Sequence, residues 1–182
     1  QDFGGDRYRA VIVNVLKSLL DLHDVTPYWD QLVTQRLQQF HLPSEQALLC
    51  KDLLAMHMSN DERLLLQVMG QAARAQITVQ MLARIIGQMA LQRPLLITLE
   101  DVHRASTSMI ETFARIIEFS QESRVMWVFS GRVEVPQRAG ELQRLIPDVA
   151  VTTLTLAPLR PHEALTQTRM RRSSGRPMPM HA

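Results

Sequence analysis

The sequence predicts an α/β chain, with a large helical N-terminal part over residues 1–93 and a partial parallel sheet over residues 94–158. Three observations predict it. Apolar residues recur at spacings of three and four through the first part, the period of amphipathic helices. At Leu95-Leu96-Ile97-Thr98-Leu99 the texture changes to a continuous apolar run set between a proline and two acids. A second run, Val125 to Phe129, follows one more helical stripe. The order strand, helix, strand implies parallel pairing through a right-handed crossover.

Tyr8, Val11, Ile12, Val15, Leu16, Leu19 and Leu20 give the clearest periodic signal, a helix of roughly four turns. A second helix after Pro27 carries Trp29, Leu32, Val33, Leu37 and Phe40 and stops before Pro43, because proline disfavours helical geometry in its predecessor. Short helical pieces follow at Leu48 to Leu54 and Leu64 to Met69, then a longer helix from about Arg74 to Leu91, ended by Arg93-Pro94. Leu95 to Leu99 reads as a strand buried on both faces. Ser108 with Glu111 three residues later has the spacing of a capping box, opening a helix with the stripe Met109, Ile110, Phe113, Ile116 and Ile117. Val125 to Phe129, rich in β-branched and aromatic residues, is the second strand. A linker leads to a third, Val149 to Leu156, closed by Pro158. Pro161 suits the first turn of a helix over residues 159–171, and residues 172–182 read as a disordered tail.

A chain of 182 residues with 46% hydrophobic and 21% charged side chains can bury a core. Cys50 is alone and has no internal disulfide partner, which fits a reducing, cytoplasmic setting. The longest apolar runs fall far short of the ~20 residues that cross a bilayer, so no membrane partner is expected. Residues 1–159 carry 15 basic against 17 acidic groups, whereas residues 160–182 carry five arginines against Glu163. A body of that sign offers nucleic acid phosphates little attraction. The six histidines show no paired metal spacing, and no Gly-x-Ser-x-Gly elbow exists for serine hydrolase chemistry.

The informative chemistry is Glu100-Asp101, at the carboxyl end of the most hydrophobic strand, where ligands bind in open α/β sheets. One carboxylate there can hold a magnesium hydration shell while the other orients or deprotonates a nucleophile. The same acids also suit the positive N-terminus of a coming helix. Arg132, just past the second strand, can meet a terminal phosphate, and Ser130 adds a hydroxyl. Both have an ordinary loop reading, with Gly131 serving the turn.

Leu95 to Ser106, Leu-Leu-Ile-Thr-Leu-Glu-Asp-Val-His-Arg-Ala-Ser, resembles the Walker B segment of STAND-type AAA+ ATPases. These are the P-loop modules attached to bacterial adenylate/guanylate cyclases, protein kinases and LuxR-type or MalT-type regulators. Val125 to Arg132 resembles their sensor 1 strand, and Leu154 to Ala164 resembles the approach to their lid domain. The resemblance implies an incomplete P-loop NTPase sheet of the ASCE class, with residues 159–171 starting the lid. It makes Glu100 the magnesium-site carboxylate, Asp101 the water-activating acid, Ser130 and Arg132 sensor residues, Pro158 a neighbour of the adenine, and His103 an accessory residue. Arg104 stands where the family has Trp, and Ser106 where it has Asp.

No Gly-x-x-x-x-Gly-Lys-Ser/Thr segment occurs within these residues. The chain therefore reads as the C-terminal part of an ATPase core, with ATP and Mg2+ as cofactors of the intact protein only. The expected function is a nucleotide-dependent switch on an effector domain of the same polypeptide, a cyclase, a kinase or a DNA-binding domain, with homo-oligomers among its assemblies. The chain alone is expected to lack hydrolysis, to expose strand edges and to leave its third strand loosely packed or wrongly paired. The alternatives are a non-enzymatic protein-interaction module and a regulatory segment of a cyclase or kinase.

Overall fold

The computed structural model describes residues 3–22, 27–132 and 135–157. The chain is mixed helix and strand. Five helices come first: α1 (Phe3–Leu19), α2 (Trp29–Gln38), α3 (Ser44–Leu53), α4 (Asn60–Val68) and α5 (Gln71–Gln92). Then come β1 (Leu95–Leu99), a 3-10 turn (Val102–Arg104), α6 (Thr107–Phe119), β2 (Val125–Phe129) and α7 (Val135–Leu145).

On α1, Ile12, Leu16 and Leu20 repeat every fourth residue and are sealed from solvent. Its end is a left-handed Asp21, after which the Leu22 amide donates to the Lys17 carbonyl and the Asp21 amide to Ser18. This is a Schellman closure made without glycine. The end of α3 repeats it, with left-handed Ala55, the Met56 amide on Lys51 and the Ala55 amide on Asp52. Leu22 and Met56 bury themselves directly after these turns. The buried indole of Trp29 donates to the Leu54 carbonyl at 2.8 Å, tying α2 to the end of α3.

The helix α4 starts at a true capping box. Ser59 Oγ accepts the Glu62 amide, and Glu62 Oε2 accepts the Ser59 amide. Glu62 also takes a hydrogen bond from Lys51 of α3. The Lys51 ammonium first, and the Ser59 amide second, hold the Glu62 carboxyl below its usual range. At the other end of α4, the Arg74 guanidinium donates to the carbonyl of Met69 and to that of Leu66, which also accepts the Met69 amide.

The helix α5 is the pillar of the molecule, packed by α1, α3, α6 and β1. Thr78, Val79, Met81, Leu82, Ala83, Ile85 and Ile86 are all buried, so it is covered on more than one side. Its last carbonyls, Ala90 and Leu91, accept from Arg124, the residue immediately before β2.

Strands β1 and β2 pair in parallel, from Leu95 beside Val125 to Leu99 beside Phe129. The expected two-sided burial is not found. Leu95, Ile97, Leu99, Val125, Trp127 and Phe129 pack on the helical core, whereas Leu96 and Met126 on the opposite face are 64% and 65% exposed. Among the described residues helices cover one side, and side chains alternate between the faces of a strand, so burial alternates too. Trp127 meets Phe113 of α6 edge-on at 6.2 Å and stacks on Phe129 at 6.4 Å.

Three further expectations are corrected. The cap of α6 is Ser106, whose Oγ accepts the Met109 amide, so Ser108 lies inside the first turn and does not form a box with Glu111. The expected linker after β2 holds α7, whose Leu142, with Ile146 just beyond it, packs on Ile110, Ala114 and Ile117 of α6. Val149 to Leu156 forms no strand. Alternating β-formers lie there, but propensity makes a strand only against a paired edge, and none is supplied. Val149 instead joins the α6–α7 cluster, while Leu154 and Leu156 are exposed. Pro158, the 159–171 helix and the 172–182 tail lie outside the described residues.

Candidate functional site

The carboxyl tips of β1 and β2 are laced together beyond the strands. The Ser130 amide donates to the Leu99 carbonyl at 2.9 Å, as a parallel ladder requires. In return the Ser130 carbonyl ordinarily accepts the amide of residue 101. It accepts instead the Val102 amide, at 3.0 Å. Asp101 is therefore an extra residue, bulged out of the ladder in the left-handed conformation with φ 55°. Aspartate tolerates that region better than most side chains, so the bulge suits the residue. The bulge turns the Asp101 carboxylate outward, with 65% of its side chain exposed.

Glu100 immediately precedes the bulge and is exposed, and Ser130 and Arg132 are exposed beyond β2. Among the described residues, the side chains of Glu100 and Arg132 make no ion pair. His103, on the 3-10 turn, is nearly buried at 11% and lies between the two tips. Its Nδ1 accepts the Arg132 amide at 3.3 Å and is 3.9 Å from Asp101 Oδ1. A ring nitrogen that accepts an amide proton carries none of its own, so the Asp101 contact is not a hydrogen bond.

Of the residues singled out in the sequence, Glu100, Asp101, His103, Ser130 and Arg132 thus gather at one rim, the carboxyl edge of the strand pair. Pro158 lies outside the described residues. The rim offers two oxygen donors followed, across the strand gap, by a hydroxyl and a guanidinium. Hard carboxylate oxygens of this kind suit magnesium, which keeps several waters and takes one or two protein ligands. Among the described residues no three His, Cys, Asp or Glu side chains assemble a metal cage.

The role of His103 in joining the two tips was missed from sequence. The one local signal was its place two residues past Asp101, inside a segment too short for a full helix. Met56 and Met58 are core residues with His57 exposed between them, its amide donating to Asp30. Burial pushes the Cys50 thiol up to about 12, which leaves no thiolate for chemistry. A shallow cleft of about 420 Å3, lined by Ile117, Glu122, Val125, Trp127 and Asp148, opens at the amino end of β2, the opposite rim. Volume and chemistry lie at different ends, and in α/β sheets function belongs to the carboxyl end. Among the described residues, no helix is long and apolar enough to cross a membrane. No protein family, curated protein or solved structure matches the chain.

Proposed function

We propose that the chain carries the Walker B and sensor 1 part of a STAND-type AAA+ ATPase domain, a P-loop sheet in which ATP with Mg2+ switches an effector of the same polypeptide. In this reading Glu100 holds the magnesium hydration shell, and Asp101 orients and deprotonates the attacking water. Ser130 and Arg132 contact the terminal phosphate, and Pro158 borders the adenine. The setting is cytoplasmic, the effector is a cyclase, a kinase or a DNA-binding domain, and homo-oligomers are among the assemblies.

One observation carries the reading: adjacent carboxylates at the tip of one parallel strand share a rim with a hydroxyl and an arginine at the tip of its neighbour. The bulge supports it further by aiming Asp101 away from the ladder that holds Leu99 and Val102. Magnesium, when bound, supplies charge neutralisation to the phosphates. The protein's own contribution is the spacing of acid, base and cation on a rigid pair of strands.

The test is ATP hydrolysis. The chain alone gives no turnover, because it contains no backbone loop to wrap the phosphates. In a polypeptide of the same reading frame that does hydrolyse ATP, Asp101→Asn lowers kcat by about 10²- to 10⁴-fold and leaves ATP affinity nearly unchanged. Asparagine also accepts the left-handed conformation, so the fold survives the change. Hydrolysis indifferent to Asp101→Asn refutes the reading.

A second reading, a non-enzymatic interaction module, is favoured by the uncovered sheet face that bears Leu96 and Met126. It is favoured over the first if calorimetry on a polypeptide of the same reading frame that includes a phosphate loop detects no nucleotide binding.

A further inference from the structure

We infer that His103 is a positioning residue: its ring replaces a rung of the sheet ladder and thereby fixes the backbone of Arg132. The ladder itself makes the case. After the Ser130 amide on Leu99 and the Val102 amide on Ser130, the next donor is the Arg132 amide, whose ordinary acceptor is the carbonyl of residue 101. That carbonyl already accepts the Arg104 amide at 2.9 Å, because the chain has turned into the 3-10 helix. The Arg132 amide donates to His103 Nδ1 instead, at 3.3 Å.

Three further facts fit a built contact. The imidazole is 11% exposed, so it is held by its surroundings and not swung from the surface. Arg132 follows Gly131, whose wide backbone freedom otherwise leaves the arginine unaimed. And because Nδ1 spends its lone pair on Arg132, the ring carries its proton on Nε2 and gives none to Asp101 Oδ1, 3.9 Å away. One histidine thus anchors the arginine and leaves the aspartate free to act. The anchoring stands on geometry alone, and its consequence for phosphate rests on the ATPase reading.

Site-resolved amide hydrogen exchange on the chain tests the anchor, with the Ser130 amide as reference. His103→Ala speeds Arg132 exchange by about two- to tenfold and leaves Ser130 unchanged. His103→Asn, whose side-chain oxygen falls near the Nδ1 position, restores protection. Nitrogen chemical shifts of His103 report the proton on Nε2. Unchanged Arg132 exchange in His103→Ala overturns the inference. So does an equal acceleration at Ser130, which makes His103 an ordinary packing residue, or a proton found on Nδ1. In a polypeptide that hydrolyses ATP, His103→Ala lowers kcat by about ten- to a hundredfold with little change in KM, and His103→Asn recovers most of it. Altered exchange with unaltered hydrolysis keeps the anchor and removes the ATPase role. Unaltered exchange removes the anchor whatever hydrolysis does.

Discussion

In the helical part Leu16, Val33, Met81, Leu82, Ile85 and Ile86 have no solvent exposure, whereas on the strand pair Leu96 and Met126 keep 64% and 65% of theirs. The difference follows from where each element finds its hydrogen bonds. A helix satisfies its interior amides within itself and needs neighbours only for its apolar stripe. A strand needs a partner along each edge and a cover on each face, and among the described residues β1 and β2 have one shared edge and one cover. The helical part therefore closes a sealed core, although Leu64, Leu65, Val68 and Leu91 stay exposed on it, and among the described residues the outer face of the sheet closes none.

The comparison breaks most visibly in the core. Ile85→Ala in α5 is expected to cost about 2–5 kcal/mol of unfolding free energy, because the side chain is fully buried and its loss leaves a cavity. Urea unfolding measures it. A loss below 1 kcal/mol would mean that the helical part is loosely filled.

Next in size is the capping box of α4. Ser59→Ala removes an acceptor for the Glu62 amide and is expected to cost about 0.5–2 kcal/mol. Its partner Glu62 adds a pH dependence of fixed sign. The folded carboxyl is held below its unfolded value, so its stabilisation is present above the unfolded value and is lost as pH falls through the folded one. Thermal melts of the native chain and Glu62→Gln therefore converge as the solution is acidified. Melts that diverge instead would contradict the Lys51 and Ser59 contacts.

Smaller still is Ala55→Gly. The left-handed turn after α3 strains an alanine, and glycine relieves it, for a gain of up to about 1 kcal/mol less the added entropy of the unfolded chain. Calorimetry reads the rise in melting temperature. Smallest in stability is the double change Leu96→Thr and Met126→Thr on the open sheet face. Each is expected to stay within about 0.5 kcal/mol while self-association, followed by sedimentation, declines. A large loss of stability would show that this face is covered.

Periodicity was enough to place α1 to α6, and the two apolar runs match β1 and β2 residue for residue, whereas the third expected strand does not form. It was not enough to place the helix ends. Asp21 and Ala55 close helices in a conformation usually announced by glycine, and the sequence carries no such sign there. The same limit hid α7, whose described core contacts come from Leu142 and from Ile146 just beyond its end, which make no stripe. Ser106 and Ser108 each have the chemistry of a cap, and only the phase of the following helix decides between them. At the candidate site, the residue types and their strand-tip location were legible. The bulge at Asp101 and the ring of His103 on Arg132 were not, because both arise from the register between two segments thirty residues apart.

Arg124 has a consequence for how the molecule comes apart. Its guanidinium closes off the final turn of α5, yet its backbone leads directly into β2, so a single side chain bridges the two regions. Peeling β2 away uncaps the pillar, and fraying the pillar frees the strand. Denaturation should accordingly run as one concerted event, with no stage in which the helices persist after the strands have gone.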